Sequence, residues 1–188
     1  MTDLRVLLIS ASVREQSASG YLLPWLAEVL GATTGITTDV LDLAVTDPGD
    51  GRGVRPGGGD AGPLDERIAR ADAYVLLTPE YNHSYPASLK HLLDNHYGVW
   101  GFKPATMVAY GVHGGLLAVE HLRGVLAELR VVGTRRVVGL AAPWQHLDDA
   151  GAYRPDDGTR KAVEAAVDEL VWWADLLREA RETRELPR

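Results

Sequence analysis

Three short polar segments carry most of the chemistry that can be read from this chain. Pro79-Glu80-Tyr81-Asn82 stands where the apolar run 73 to 78 must end, with a helix opening just beyond it at Pro86. An aromatic ring, a carboxylate and an amide on one turn, followed by His83, offer a surface and hydrogen bonds to a flat, polar-edged ring. That combination suggests a flavin site. The second segment runs from residue 10 to 19 and holds hydroxyls at Ser12, Ser17 and Ser19 with the guanidinium of Arg14 between them. Together with backbone N–H groups at the start of a helix, these suit a phosphate monoester. The third, Tyr110-Gly111-Val112-His113-Gly114-Gly115, follows another apolar run. Its glycines let a backbone approach a planar ligand closely, or equally satisfy the entry to the next helix.

Plainer roles exist for each residue. Ser17 is a fitting helix cap with Arg14 left in solvent, and Asn82 or Ser84 can cap the helix that follows the second turn. A lone His83 more often packs or caps than reacts. What favours a shared site is the placement of these segments, which depends on the elements that carry them.

Apolar runs alternate with helix-period segments along the chain. Strands are expected at 6 to 9, 37 to 43, 73 to 78, 106 to 110 and 136 to 141. Helices are expected at about 17 to 30, 64 to 71, 86 to 97 with Pro86 in the first turn, 116 to 129, and 163 to 177. Residues 47 to 63 contain seven glycines and three prolines, and read as a surface insertion without regular structure. Five unalternated apolar strands separated by helices imply a parallel sheet buried on both faces. The expectation is a single flavodoxin-like α/β domain over 1 to 188, a doubly wound three-layer sandwich with five strands in the order 2-1-3-4-5. In that order strands one and three are neighbours with crossovers to opposite faces. Loops 10 to 17 and 79 to 85 then meet at the switch point where ligands bind.

Composition narrows the class further. The 188 residues are 46% apolar and carry a net charge of −7, which suits one soluble domain and argues against a nucleic-acid partner. There is no cysteine, hence no disulfide, thiol nucleophile or thiolate metal site, and redox chemistry needs a bound cofactor. His91 and His96 are five apart and the other histidines form no helical pair, so no metal site is expected. Neither a leader-like segment nor a membrane-length apolar run appears, and a soluble cytoplasmic protein is expected.

These residues resemble the NAD(P)H-dependent FMN reductases, a flavodoxin-like family that includes quinone, azo-dye and chromate reductases. The resemblance runs from Val6 through the final helix. It is most specific at Pro79-Glu80-Tyr81-Asn82 with Pro86-Ala87-Ser88-Leu89-Lys90 and Asp94. It implies that Ser12, Arg14, Ser17 and Ser19 hold the FMN phosphate. Pro79, Glu80, Tyr81, Asn82 and His83, with Gly111, His113, Gly114 and Gly115, would hold the ring. The chain departs from the family's pattern at Ala11, where glycine is usual, and at Ser19, where asparagine is frequent. Its glycine loop is one residue shorter, with His113 and Leu117 where a small residue and an arginine are frequent.

The implied activity is a relay in which NADPH or NADH reduces bound FMN and leaves, and a flavin, quinone or similar small acceptor takes its place. Because the cofactor does the electron chemistry, no catalytic side chain is assigned. Arg14 and Lys103 are candidate partners for the extra phosphate of NADPH. Two other readings are an electron carrier of the flavodoxin type, which the charge of Arg14 disfavours, and a protein that keeps the fold without FMN. A homodimer is expected from the resemblance and from the aromatic segments 97 to 100 and 172 to 173.

Overall fold

The computed structural model describes residues 3–55, 58–59 and 62–186. In chain order the elements are β1 (Leu4–Ser10), α1 (Ser19–Gly31), β2 (Ile36–Asp42), β3 (Val54–Arg55), β4 (Gly58–Gly59) and α2 (Asp65–Ala69). They continue as β5 (Ala73–Pro79), α3 (Ala87–Asn95), β6 (Pro104–Gly111), α4 (Leu116–Glu128), β7 (Val132–Gly133), β8 (Val138–Ala141) and α5 (Asp157–Thr183).

Strands β2, β1, β5 and β6 lie side by side and run parallel. They fill the first four places of the expected order, with β5 and β6 as its third and fourth strands. The fifth place is divided: β7 pairs with the start of β6 and β8 with its end, so the strand expected over 136 to 141 begins at Val138. The break has a local cause. The backbone N–H groups of Arg135 and Arg136 donate to the two carboxylate oxygens of Glu169 on α5, at 3.0 and 3.1 Å. The carbonyl of Arg136 accepts from the hydroxyls of Thr106 and Thr134. Groups that would have continued the ladder are bound elsewhere.

Side chains of the central strands feed two cores. Leu7 and Ile9 pack with Leu76, Met107, Leu89 and Leu122 on the face covered by α2, α3 and α4. Val6 and Leu8 pack with Val75, Val108, Leu26 and Leu170 on the face covered by α1 and α5. Burial on both sides is why β5, whose seven residues are all buried, shows no alternation in its sequence.

Several expected boundaries shift. Helix α1 starts at Ser19 with Ala18 in the cap position, two residues later than Ser17. Pro86 precedes α3 as an extended residue (φ −70°, ψ 152°) and does not sit in its first turn. The segment 47 to 63 is not wholly irregular, since Val54–Arg55 and Gly58–Gly59 form a short antiparallel pair; residues 56–57 and 60–61 lie outside the described residues. Its first part is docked on the end of α3. The carbonyl of Pro48 meets His96 Nε2 at 3.1 Å and accepts from Asn95 Nδ2 at 3.2 Å, while His96 Nδ1 engages the carboxylate of Asp65.

Lys103 is also not where a phosphate partner would stand. It immediately precedes β6, at the end of the sheet opposite the polar loops, and is buried. Its ammonium donates to the carbonyls of Ile68, Ala69 and Val99, closing the C-terminal end of α2. Burial pushes its pKa down to about 8.

One glycine is indispensable to how the sheet meets its helices. Gly115 opens α4 at φ +76°, and a Cβ there would lie 2.8 Å from Tyr110 N and 2.9 Å from Ala109 Cβ. Gly115→Ala therefore combines left-handed strain with a clash against a central strand, and is expected to lower stability by about 2 to 4 kcal/mol. Urea unfolding with an unchanged slope is the check, and a loss below about 0.5 kcal/mol would show that the entry can relax.

Candidate cofactor-binding site

The register of the ladder brings three loops together. Ser10 pairs with Leu77 and Pro79 with Tyr110, so β1, β5 and β6 end side by side. Backbone bonds extend the alignment past the strands: Ala11 N–H donates to Leu77 O at 2.9 Å, Glu80 N–H to Tyr110 O at 2.9 Å, and Ala142 N–H to Gly111 O at 2.8 Å. The Ser88 hydroxyl donates to Ala11 O at 2.5 Å and ties the start of α3 to the first loop.

In the first loop Ser12 is buried, and its Oγ accepts from Arg14 N–H at 3.4 Å. Ser17 Oγ accepts from Ser19 N–H at 3.3 Å, so Ser17 does serve the helix start in part. It does more than cap. Ser17 and Ser19 hydroxyls lie 3.0 and 2.6 Å from Tyr110 Oη, which rises from the end of β6. Burial raises the Tyr110 pKa, against an opposing pull from its bonds to Ser17 and Ser19, so the phenol stays protonated and able to donate. Ser12 Oγ lies 3.2 Å from Tyr81 Oη. The guanidinium of Arg14 is held over the Tyr81 ring, 3.7 Å from its centre, although the side chain is exposed. Stacking of that kind leaves the fork of N–H donors at the guanidinium edge available to an anion.

The second loop turns through Asn82 and His83, both non-glycine residues in the left-handed region at φ 52° and 65°. Reciprocal bonds between Tyr81 and Ser84 close it as a tight hairpin turn, a geometry that asparagine tolerates and histidine enters at a cost. Asn82 and His83 are exposed at its tip. Glu80 points elsewhere: its Oε2 accepts from Leu117 N–H at 3.1 Å, in the first turn of α4. The carboxylate thereby fastens the second loop to the third and faces the positive end of the α4 dipole. His121 Nδ1, one turn further along α4, lies 3.1 Å from Ser84 Oγ.

In the third loop Gly111 O accepts from Gly114 N–H at 3.3 Å, and Gly114 and Gly115 are buried at the helix entry. Their conformations, φ 87° and 76°, satisfy that entry. His113 is exposed and stands apart from the serine cluster, as does Pro79, which is the last residue of β5 and buried.

Of the residues singled out in the sequence, Ser12 and Arg14 thus meet on Tyr81, and Ser17 and Ser19 meet on Tyr110 beside them. Three others join them without having been foreseen. Tyr110 is one, while Tyr21 and Trp144 help to line the adjoining cleft of about 500 Å³, together with Arg14, Ser17 and Tyr81. Tyr110 left a trace in the sequence, since it is the last in-phase position after Val108 on the α1 side of β6. Trp144 left none, because it follows β8 on a turn whose direction depends on Ala142 at φ 42°.

Known proteins share this arrangement of elements. A family model described as NADPH-dependent FMN reductase matches residues 4–145. The chain is 33% identical over 141 residues to an NAD(P)H-dependent FMN reductase of Schizosaccharomyces pombe, covering 69% of this chain and 70% of that protein. It is 34% identical over 115 residues to a 2-hydroxy-1,4-benzoquinone reductase of Burkholderia sp, covering 57% of this chain and 63% of that one. Among solved structures it is similar to FerB, a flavoenzyme NAD(P)H:(acceptor) oxidoreductase from Paracoccus denitrificans, with a TM-score of 0.73, 25% identity and coverage of 92% and 98%. A flavodoxin of Streptococcus pneumonia shares the fold at a TM-score of 0.59 and 12% identity, over 90% of this chain and 98% of that one.

The role of Glu80 separates scaffold from ligand contact. Glu80→Ala is expected to cost about 1 kcal/mol of stability by leaving Leu117 N–H without its carboxylate, and Glu80→Gln less than half of that. Chemical denaturation of the two variants without added cofactor measures this. Equal stability of Glu80→Ala and the wild type would remove the fastening role.

Proposed function

The chain belongs to the NADPH-dependent FMN reductase family, and from that premise we propose that it binds FMN across the ends of β1, β5 and β6 and reduces a small acceptor at the expense of NADPH or NADH. A flavin or a quinone is the proposed class of acceptor, consistent with the reductases named among its relatives. The observation that carries the assignment is the cluster of Ser12, Arg14, Ser17, Ser19 and Tyr110 at the start of α1. Its chemistry fits a phosphate: four hydroxyl groups able to donate, one permanent cation stacked on an aromatic ring, and a helix N-terminus.

When bound, FMN supplies the two-electron exchange between nicotinamide and acceptor. The tasks left to this chain are holding, orienting and shielding. Arg14 would offset phosphate charge, and the hydroxyls of Ser17, Ser19 and Tyr110, now bonded to one another, would hold the phosphate. Tyr81, fixed by Ser12 and Arg14, provides the aromatic surface between the phosphate end and the ring end. The turn at Asn82 and His83 and the backbone from Gly111 to Gly115 are proposed to border the ring. In this proposal Pro79 and Glu80 act at one remove, by setting the exit of β5 and fastening it to α4.

We further propose one flavodoxin-like domain, acting as a cytoplasmic homodimer. No helix among the described residues is long and apolar enough to cross a membrane. Trp100 is buried against Tyr74 and gives no support to an interface, whereas Trp172 is 61% exposed on α5 and remains a candidate contact. Light scattering at working concentration decides between dimer and monomer.

The absorption spectrum of the purified, FMN-supplied protein tests the main assignment. Flavin bands that bleach with NADPH or NADH, and return when a benzoquinone is added, are expected. Retained flavin with no turnover by either nicotinamide would leave an electron carrier, and failure to retain FMN would remove the flavin assignment altogether. Arg14→Ala and Ser17→Ala are each expected to weaken FMN binding by about 10- to 100-fold, the worth of a charge-assisted hydrogen bond. Unchanged FMN affinity in both variants would show that the phosphate lies elsewhere.

A further inference from the structure

The cleft beside the serine cluster has an aromatic boundary that the phosphate contacts do not require. Its lining includes Ser17, Tyr110, Tyr21 and Trp144, together with Arg14 stacked on Tyr81. Tyr21 belongs to the first turn of α1, and its hydroxyl is buried without a hydrogen-bond partner among the described residues. Its ring is backed by Tyr153 in a stacked arrangement, 6.2 Å between centres and 26° between planes. Trp144 is different in kind. It is 47% exposed, an unusual state for an indole on a segment held this firmly.

The segment is held firmly because β8 ends against Gly111, Ala142 N–H donates to Gly111 O at 2.8 Å, and Gln145 N–H and His146 N–H close a tight turn through Pro143. Ala142 adopts a left-handed conformation at φ 42° to make the corner, and Pro143 fixes the next step. Local strain and a rigid proline together fix the backbone from which one exposed indole joins the lining of the cleft. A side chain that only filled the core would not need this corner, and Pro143 itself supplies the buried packing.

We propose that Trp144 is an FMN contact, covering the sugar-alcohol chain that joins phosphate to ring and helping to retain the cofactor in the cleft whose lining it shares with Tyr21 and Tyr81. The proposal rests on the FMN assignment above. The chemistry suits the parts: an indole offers a flat apolar face to the C–H edges of a polyol and keeps its N–H for solvent or a hydroxyl. Tyr21 lends the same lining the face of a ring backed by Tyr153. Trp144 touches no phosphate oxygen in this arrangement and takes no part in electron transfer, so its contribution appears in retention and not in chemistry.

FMN titration of the apoprotein, read by quenching of flavin fluorescence and of tryptophan emission, tests this with wild type, Trp144→Ala and Trp144→Phe. Trp144→Ala is expected to raise the FMN dissociation constant roughly five- to tenfold, through faster release, with the melting temperature of the apoprotein unchanged. Trp144→Phe is expected to keep most of the affinity while losing part of the tryptophan quenching. If wild type takes up FMN and Trp144→Ala binds it equally well, this proposal falls and the FMN assignment stands. If wild type retains no FMN, both fall. A drop in apoprotein melting temperature that accounts for the lost affinity would make Trp144 a packing residue and also overturn the proposal.

Discussion

The parallel register of β1, β5 and β6 is the constraint on which the rest of the molecule depends. Because Ser10 lies beside Leu77 and Pro79 beside Tyr110, three chain segments far apart in sequence must leave the sheet at one place. The ladder itself depends on burial of both faces, for which the chain supplies near-continuous apolar strands and a helix after each. Everything polar that cannot enter those cores is displaced to strand ends. At the end shared by these three strands, that displacement gathers hydroxyls, a guanidinium and aromatic rings.

What keeps the gathered loops in place is a set of bonds between them rather than within them. Ser12 meets Tyr81, Arg14 stacks on the same ring, Ser17 and Ser19 meet Tyr110, and Glu80 reaches the first turn of α4. Each bond crosses from one strand end to another, so the site is assembled before any ligand arrives. Preorganisation of this kind lowers the ordering cost that a flexible loop would add to binding. It carries its own cost in backbone strain. Asn82, His83 and Ala142 all hold positive φ, and all three lie on the turns bordering the site.

Much of this was legible in residue patterns, for a physical reason. Unalternated runs such as residues 73 to 78 record burial on two faces, and the polar segments 10 to 19 and 79 to 83 stand out against them. The serines at 12, 17 and 19 do gather at the strand ends, Ser12 on Tyr81 and Ser17 and Ser19 on Tyr110. Other features depend on contacts that no local pattern records. No local pattern foretells that the Glu80 carboxylate accepts from Leu117 N–H, thirty-seven residues away. Lys103 read as a candidate partner for the extra phosphate of NADPH, yet three carbonyls draw it inside at the far end of the sheet. The start of the glycine-rich segment 47 to 63 read as a free insertion, yet Asn95 and His96 capture it from α3. Long-range polar capture is invisible to periodicity, which senses only how a residue relates to its near neighbours.

The division of the last strand has a consequence beyond geometry. A flavodoxin-like sheet is open, and its outer strand would ordinarily present a continuous row of unpaired N–H and C=O groups to any passing extended chain. Here that rim consists of a two-residue piece and a four-residue piece, and the N–H groups between them are turned inward to Glu169. At this rim a foreign strand finds no unbroken template of useful length, unlike the opposite edge, where β2 runs unbroken for seven residues. The interruption therefore blunts one of the two edges against edge-to-edge pairing, and does so with a carboxylate on a neighbouring helix instead of an added covering element.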